Sequence, residues 1–113
     1  MNQIVDGEVL YDVDLISGKL TWNDALHTLL GHEVSPQTST VEWWSAQVHP
    51  DDAMILNQAM DGLLNPGLKE WTVKYRFRKA DNSYVLVCDQ ATVQRAPNGE
   101  AVRLTGSISP CNS

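Results

Sequence analysis

Cysteine, cationic charge and long apolar runs are all scarce in this chain of 113 residues. Its two cysteines, Cys88 and Cys111, stand far apart, with neither Cys-x-x-Cys spacing nor a histidine cluster beside them. That pattern excludes a disulfide framework and a zinc site and reads as two free thiols in a reducing compartment. Lys and Arg number 8 against 14 Asp and Glu, a formal net charge of -6. Affinity for nucleic acid or for an anionic membrane rests on excess cations, so both partners are excluded as general binders. No apolar run approaches the ~20 residues needed to span a bilayer, and Met1-Asn2-Gln3-Ile4-Val5-Asp6 lacks the basic and apolar regions of a signal peptide. The expectation is a cytoplasmic protein without membrane insertion. Also missing are internal repeats, a Gly-rich phosphate loop, a Gly-x-Ser-x-Gly elbow, a His-Glu-x-x-His motif, and a GGDEF or kinase segment. Ser, His and Asp are present, but no spacing holds a nucleophile against a base, so no catalysis is expected. A small hydrolase or isomerase would need an open pocket with convergent polar groups.

What is present is enough for one core. Hydrophobic residues make up 42% of the chain and charged residues 19%, a globular balance at single-domain length. Val9 to Asp14 nearly alternates apolar and polar, and a turn through Ile16-Ser17-Gly18-Lys19 leads to Leu20-Thr21-Trp22, which predicts a strand, a turn and a strand. Asn23 can cap a helix carrying Ala25, Leu26, Leu29 and Leu30, ended by Gly31. Ser39 and Glu42 have capping-box spacing before a short helix with Trp43, Trp44 and Val48. His49-Pro50-Asp51-Asp52 opens a longer helix, with Pro pre-set for the first position and acids facing the positive end. Its buried face is expected at Ala53, Leu56, Met60, Leu63 and Leu64, and Asn65-Pro66-Gly67 stops it. Trp71, Val73, Tyr75 and Phe77 alternate strictly with Thr72, Lys74, Arg76 and Arg78, giving one apolar and one cationic face. After Asp81-Asn82, the strand Tyr84 to Val93 is apolar on both faces: Tyr84, Leu86 and Cys88 on one, Val85, Val87, Ala91 and Val93 on the other. Pro97-Asn98-Gly99 turns the chain into Val102, Leu104, Gly106 and Ile108. Two strands, three short helices and three strands make an α+β order.

The segments Tyr11 to Trp22, Asn23-Asp24-Ala25-Leu26 through Gly31, Glu42-Trp43-Trp44, Val48-His49-Pro50-Asp51-Asp52, Lys74 to Asp81 and Val102 to Gly106, in this order and spacing, resemble a PAS domain. The resemblance is to the fold-3 subgroup with its trailing PAC segment. It implies a five-stranded antiparallel sheet in the order 2-1-5-4-3 with helices over one concave face. It further implies one domain over 1–113, with 1–7 as a flank and 109–113 as a tail toward an effector outside the chain. Three positions depart from the family pattern. Asn82 replaces the usual Gly, Leu86 replaces a Trp and leaves room beside an inner cavity, and Pro110-Cys111-Asn112 replaces the usual Asp-Ile-Thr handover.

The resemblance implies a sensory module that binds a small molecule, or a second copy of itself as a homodimer. It would bias an attached bacterial diguanylate cyclase or two-component sensor histidine kinase. A ligand shifts such an equilibrium only by its differential affinity for the two states. The inward candidates for ligand binding are Tyr75, Phe77, Leu86 and Cys88 from the sheet, with Trp43 or Trp44 from the helices. Adjacent helical residues point apart, so at most one Trp faces a cavity. The alternative is a ligand-free interaction module with a filled core, pairing through the second apolar face of the Tyr84 to Val93 strand. No metal or cofactor is expected. His49, Asp51 and Asp52 are explained as a helix start, His27 and His32 as surface residues rather than haem ligands, and no Asn-Cys-Arg motif for flavin photochemistry is present. The row Lys74, Arg76, Arg78 and Lys79 reads as a solvated strand face rather than an anion site.

Overall fold

The structure, a computed structural model, describes residues 8–111. The flank at 1–7 and tail residues 112 and 113 lie outside the described residues. Strands β1 (Val9–Asp14) and β2 (Lys19–Trp22) form the opening hairpin, and β3 (Glu70–Arg78), β4 (Tyr84–Arg95) and β5 (Ala101–Pro110) form the closing meander. Between them run α1 (Ala25–Leu30), α2 (Val41–Ala46) and α3 (Ala53–Asp61), with 3-10 turns at Pro36–Thr38, Pro50–Asp52 and Gly62–Leu64. All strand pairs are antiparallel, in the order β2-β1-β5-β4-β3. The first and last strands therefore meet at the centre, and the helices lie in the connection between the two outer strands. Ser109 and Pro110, expected in the tail, close β5 opposite Cys88 and Val87.

One sheet face holds the core. Val9, Tyr11 and Val13 on β1, Leu20 and Trp22 on β2, and Trp71, Val73, Tyr75 and Phe77 on β3 are all buried, as the period-two pattern requires. Leu26, Leu30, Trp44, Leu56 and Leu63 cover them from the helical side. The α3 face differs from expectation at three places: Ala53 and Leu64 are exposed and Met60 is half-buried. The helix ends at Asp61 and passes into a tighter turn, which rotates Leu63 inward and Leu64 outward.

Local signals end where the chemistry demands. Gly31 ends α1 at φ 82°, and a Cβ there would stand 3.0 Å from Ala80 Cβ. Asn82 takes φ 73° in the β3–β4 turn, which Asn tolerates in place of Gly. Asn23 Oδ1 accepts from the Ala25 and Leu10 amides, each at 3.1 Å, tying α1 to β1. The expected Ser39/Glu42 box does not form. Thr40 caps α2 by accepting from the Trp43 amide at 3.0 Å, and the Ser39 hydroxyl donates back to the Ser35 carbonyl. His49 Nδ1 accepts from the Asp51 amide at 3.0 Å at the start of the Pro50 turn.

Both sheet edges are partly covered. Beside β2, the Leu20 amide donates to Ser39 O and the Val41 amide to Gly18 O, at 3.0 and 3.1 Å. Beside β3, the His49 amide donates to Arg76 O and the Arg78 amide to Gln47 O, at 2.9 and 2.8 Å. The flanks of α2 thus occupy strand groups that would otherwise invite another chain.

Candidate functional site

The register of β4 decides what faces the helices. Tyr75 pairs with Val87 and Val73 with Asp89, so odd-numbered residues of β4 share the inner face with the aromatic row of β3. Val87, Asp89, Ala91 and Val93 are buried there. Leu86 pairs with Arg76 and Cys88 with Lys74, which puts both on the outer, cationic face. The sequence separates the two faces of β4 correctly, but Leu86 and Cys88 point away from the core. They are removed from the set of inward residues, and the Leu86 departure cannot enlarge an inner cavity.

The residue that sequence reasoning missed is Asp89, which has no exposed surface. Tyr11 Oη–H donates to its Oδ1 at 2.5 Å and Tyr75 Oη–H to its Oδ2 at 2.7 Å. Trp44 Nε1–H donates in turn to Tyr75 Oη at 2.9 Å. One carboxyl therefore joins β4, β3, α2 and, across β5, β1. Burial pushes the Asp89 carboxyl up to about 7, because removal from water penalises the charged form, while the two phenol donors pull it back down. Burial and then the adjacent carboxylate raise the Tyr11 and Tyr75 phenols, so both remain donors. A signal existed: Asp89 falls in register with Val85, Val87, Ala91 and Val93, a lone acid in an apolar row opposite inward tyrosines.

Beside this network lies a cavity of about 10 Å³, lined among others by Tyr11, Leu20, Trp22, Trp44, Met60 and Ile108. A single water needs roughly 10–15 Å³, so the core is essentially filled. Trp44 lines it and is buried. Trp43 is half-buried in an aromatic cluster, its ring centroid 4.8 Å from His32 and 6.2 Å from Phe77. Phe77 and Tyr75 are enclosed in the core and do not line the cavity. The expected candidates thus split three ways: Trp44 with Tyr75 on the Asp89 network, Trp43 with Phe77 beside it, and Leu86 with Cys88 on the far face.

A family model described as the PAS fold matches residues 19–108. The chain belongs to the PAS family. Among similar solved structures is the N-terminal domain of a diguanylate cyclase with PAS/PAC sensor from Marinobacter aquaeolei, 22% identical, TM-score 0.79, covering 91% of this chain and 94% of that one. A sensory box histidine kinase/response regulator from Burkholderia thailandensis is 19% identical with TM-score 0.75, covering 91% of this chain and 76% of that one. The PAS-B domain of Drosophila melanogaster Cycle, with bound ethylene glycol, is 19% identical with TM-score 0.71 over 91% and 99% of the two chains. No curated protein matches. At these identities the likeness establishes the shared fold.

Other polar groups of the PAS domain are engaged in holding its parts together. Arg76 binds Asp52 through Nε and a terminal nitrogen at 2.9 and 3.0 Å, while its amide donates to the same carboxylate at 2.8 Å. The Arg76 guanidinium accordingly holds the Asp52 carboxyl below the usual range. Arg78 donates to Gln47 Oε1. The cationic row is therefore not simply solvated: its two arginines fasten the α2–α3 segment to the β3 edge. His32, expected at the surface, is half-buried, with Nε2 2.8 Å from the Arg78 carbonyl. Among the described residues no group of three or more His, Cys, Asp or Glu could hold a metal ion, and no helix is long and apolar enough to cross a membrane.

Proposed function

We propose that this PAS domain is a non-catalytic regulatory module that acts through a second copy of itself and biases an attached effector, a diguanylate cyclase or a sensor histidine kinase. The observation that carries the reading is the filled interior. The space beside the Asp89 network is about 10 Å³, and the inward phenols and the Trp44 indole are already partnered with one another. A resident ligand would have to displace packed side chains. The sheet edges are partly occupied, which leaves the outer sheet face, where Leu10 is 50% and Tyr84 41% exposed and Leu86 and Cys88 are half-buried. The similarity to sensor domains of a diguanylate cyclase and a histidine kinase supports the choice of effector.

Asp89 favours a second reading, a small-ligand sensor: a buried ionisable group beside even a small cavity is a natural anchor for a polar ligand if the helical layer opens. Sedimentation velocity across a concentration series, with native mass spectrometry of the same sample, separates the two. A concentration-dependent dimer of bare chains supports the first reading. A monomer carrying a stoichiometric small molecule supports the second. A bare monomer at all concentrations defeats both.

A further inference from the structure

Cys88 and Cys111, distant in sequence, come together on the outer face. Cys88 pairs with Ser109 and Val87 with Pro110, and beyond that pair the Cys111 amide donates to the Leu86 carbonyl at 3.0 Å. This places Cys111 opposite Leu86. Side chains alternate along a strand, so a residue opposite Leu86 emerges on the face shared by Leu86 and Cys88. The two cysteines are diagonal neighbours across β4 and β5, at a Cα separation of roughly 7–8 Å with side chains closer. Cys88 acts on its neighbour directly: ahead of burial, it is the first cause raising the Cys111 thiol. Both are half-buried and free. Lys74, opposite Cys88 on β3, places its ammonium on the same face and offsets a part of that rise.

We propose that Cys88 and Cys111 form a dithiol that hydroperoxides oxidise to an intramolecular disulfide, fastening the end of β5 to β4. One sulfur, as thiolate, attacks the peroxide O–O bond, giving a sulfenic acid and releasing the alcohol, or water when the oxidant is hydrogen peroxide. The second thiol then attacks the sulfenic sulfur, expels water and closes the S–S bond. The two thiols give up two electrons and two protons, and the peroxide is reduced. The Lys74 ammonium on the same face is the cation nearest to hand for the charge that the attacking sulfur carries. A disulfide needs Cα atoms within about 4.4–6.8 Å, so closure draws the strand end inward by on the order of an ångström. The displaced segment is the last turn of the ladder, held at Cys111 by its bond to Leu86 O.

The pair requires neither the dimer nor a ligand, so its test is separate from theirs. The reduced chain is exposed to a small excess of hydrogen peroxide, alkylated under denaturing conditions and weighed intact. The expected product has lost two hydrogens, takes up no alkyl group, yields a Cys88–Cys111 cross-linked peptide, runs as a single chain on a denaturing gel without reductant and reverts with dithiothreitol. Cys88→Ser and Cys111→Ser each abolish it, Lys74→Gln slows it several-fold, and oxidation raises hydrogen-exchange protection of the Cys111 amide in the unsubstituted chain. Oxidation that gives a disulfide-linked dimer on that gel, or stops at sulfinic acids with no cross-link, overturns the proposal. So does a pair that both remain alkylatable after peroxide.

Discussion

Asp89 shows how one side chain can make a filled core responsive. Its carboxyl is raised from 3.8 to about 7 by burial, so between those values the folded chain binds a proton that the unfolded chain has released. Stability from this group is complete below about pH 4 and is lost as pH rises through about 7. Urea unfolding of the wild type is therefore expected to show a fall in stability from pH 5 to pH 8, and Asp89→Asn should remove that share of the fall. A variant with the same slope as the wild type would show that Asp89 does not titrate there. Asp12, Asp14, Asp52 and Asp81 act in the opposite sense: their partners lower them, and the stability they contribute is lost as pH falls through the acid range. Gly106 is a second demanding position. A Cβ on it would stand 2.2 Å from Gln90 O and 2.7 Å from Ala91 Cβ, against backbone that cannot yield. Gly106→Ala should cost more than about 3 kcal/mol by overpacking and strand displacement, which chemical denaturation would measure.

At the scale of elements, periodicity carried most of the information. β3 alternates without interruption, and its burial follows residue by residue. β4 is apolar on both sides, so period alone could not say which side faces the helices; the answer came from its pairing with β3, a long-range property. Asp89 stayed hidden for the same reason, because a charged residue in a strand is ordinarily solvated until its partners are known. The Leu64 error has a different origin, since a helix that tightens into a 3-10 turn changes the rotation per residue and shifts every later side chain. Arg95 was not legible either. Its guanidinium donates to the carbonyls of Leu63, Asn65, Leu68 and Gly99, joining the loop after α3 to the β4–β5 turn. Lysine offers a compact ammonium in place of a planar fork, so Arg95→Lys should lower stability by about 1–3 kcal/mol. Faster hydrogen exchange is expected across residues 63–68 in that variant.

At the scale of the molecule, the proposed dimer predicts where substitutions act. Leu10→Glu and Tyr84→Glu place charge on the outer face without entering the core and should weaken self-association at least about tenfold, or about 1.4 kcal/mol, with the melting temperature of the monomer unchanged. Analytical ultracentrifugation checks this, and an unchanged dissociation constant for both would move the interface elsewhere. The covered edges carry a mechanical consequence as well. Residues 39–49 begin against β2 and end against β3, so this stretch crosses the whole concave side of the sheet. Laid flat, five strands would hold those edges about 19 Å apart; the helical part of the crossing covers about 9 Å of that, and the residues flanking it on either side cover the rest. The stretch is a strap from one edge to the other, and Trp44 near its middle is hydrogen-bonded to Tyr75 and so to Asp89. The two outer strands are thus tied to each other twice, through the sheet and over it, and the tie over it passes through the residue that reaches the Asp89 carboxyl.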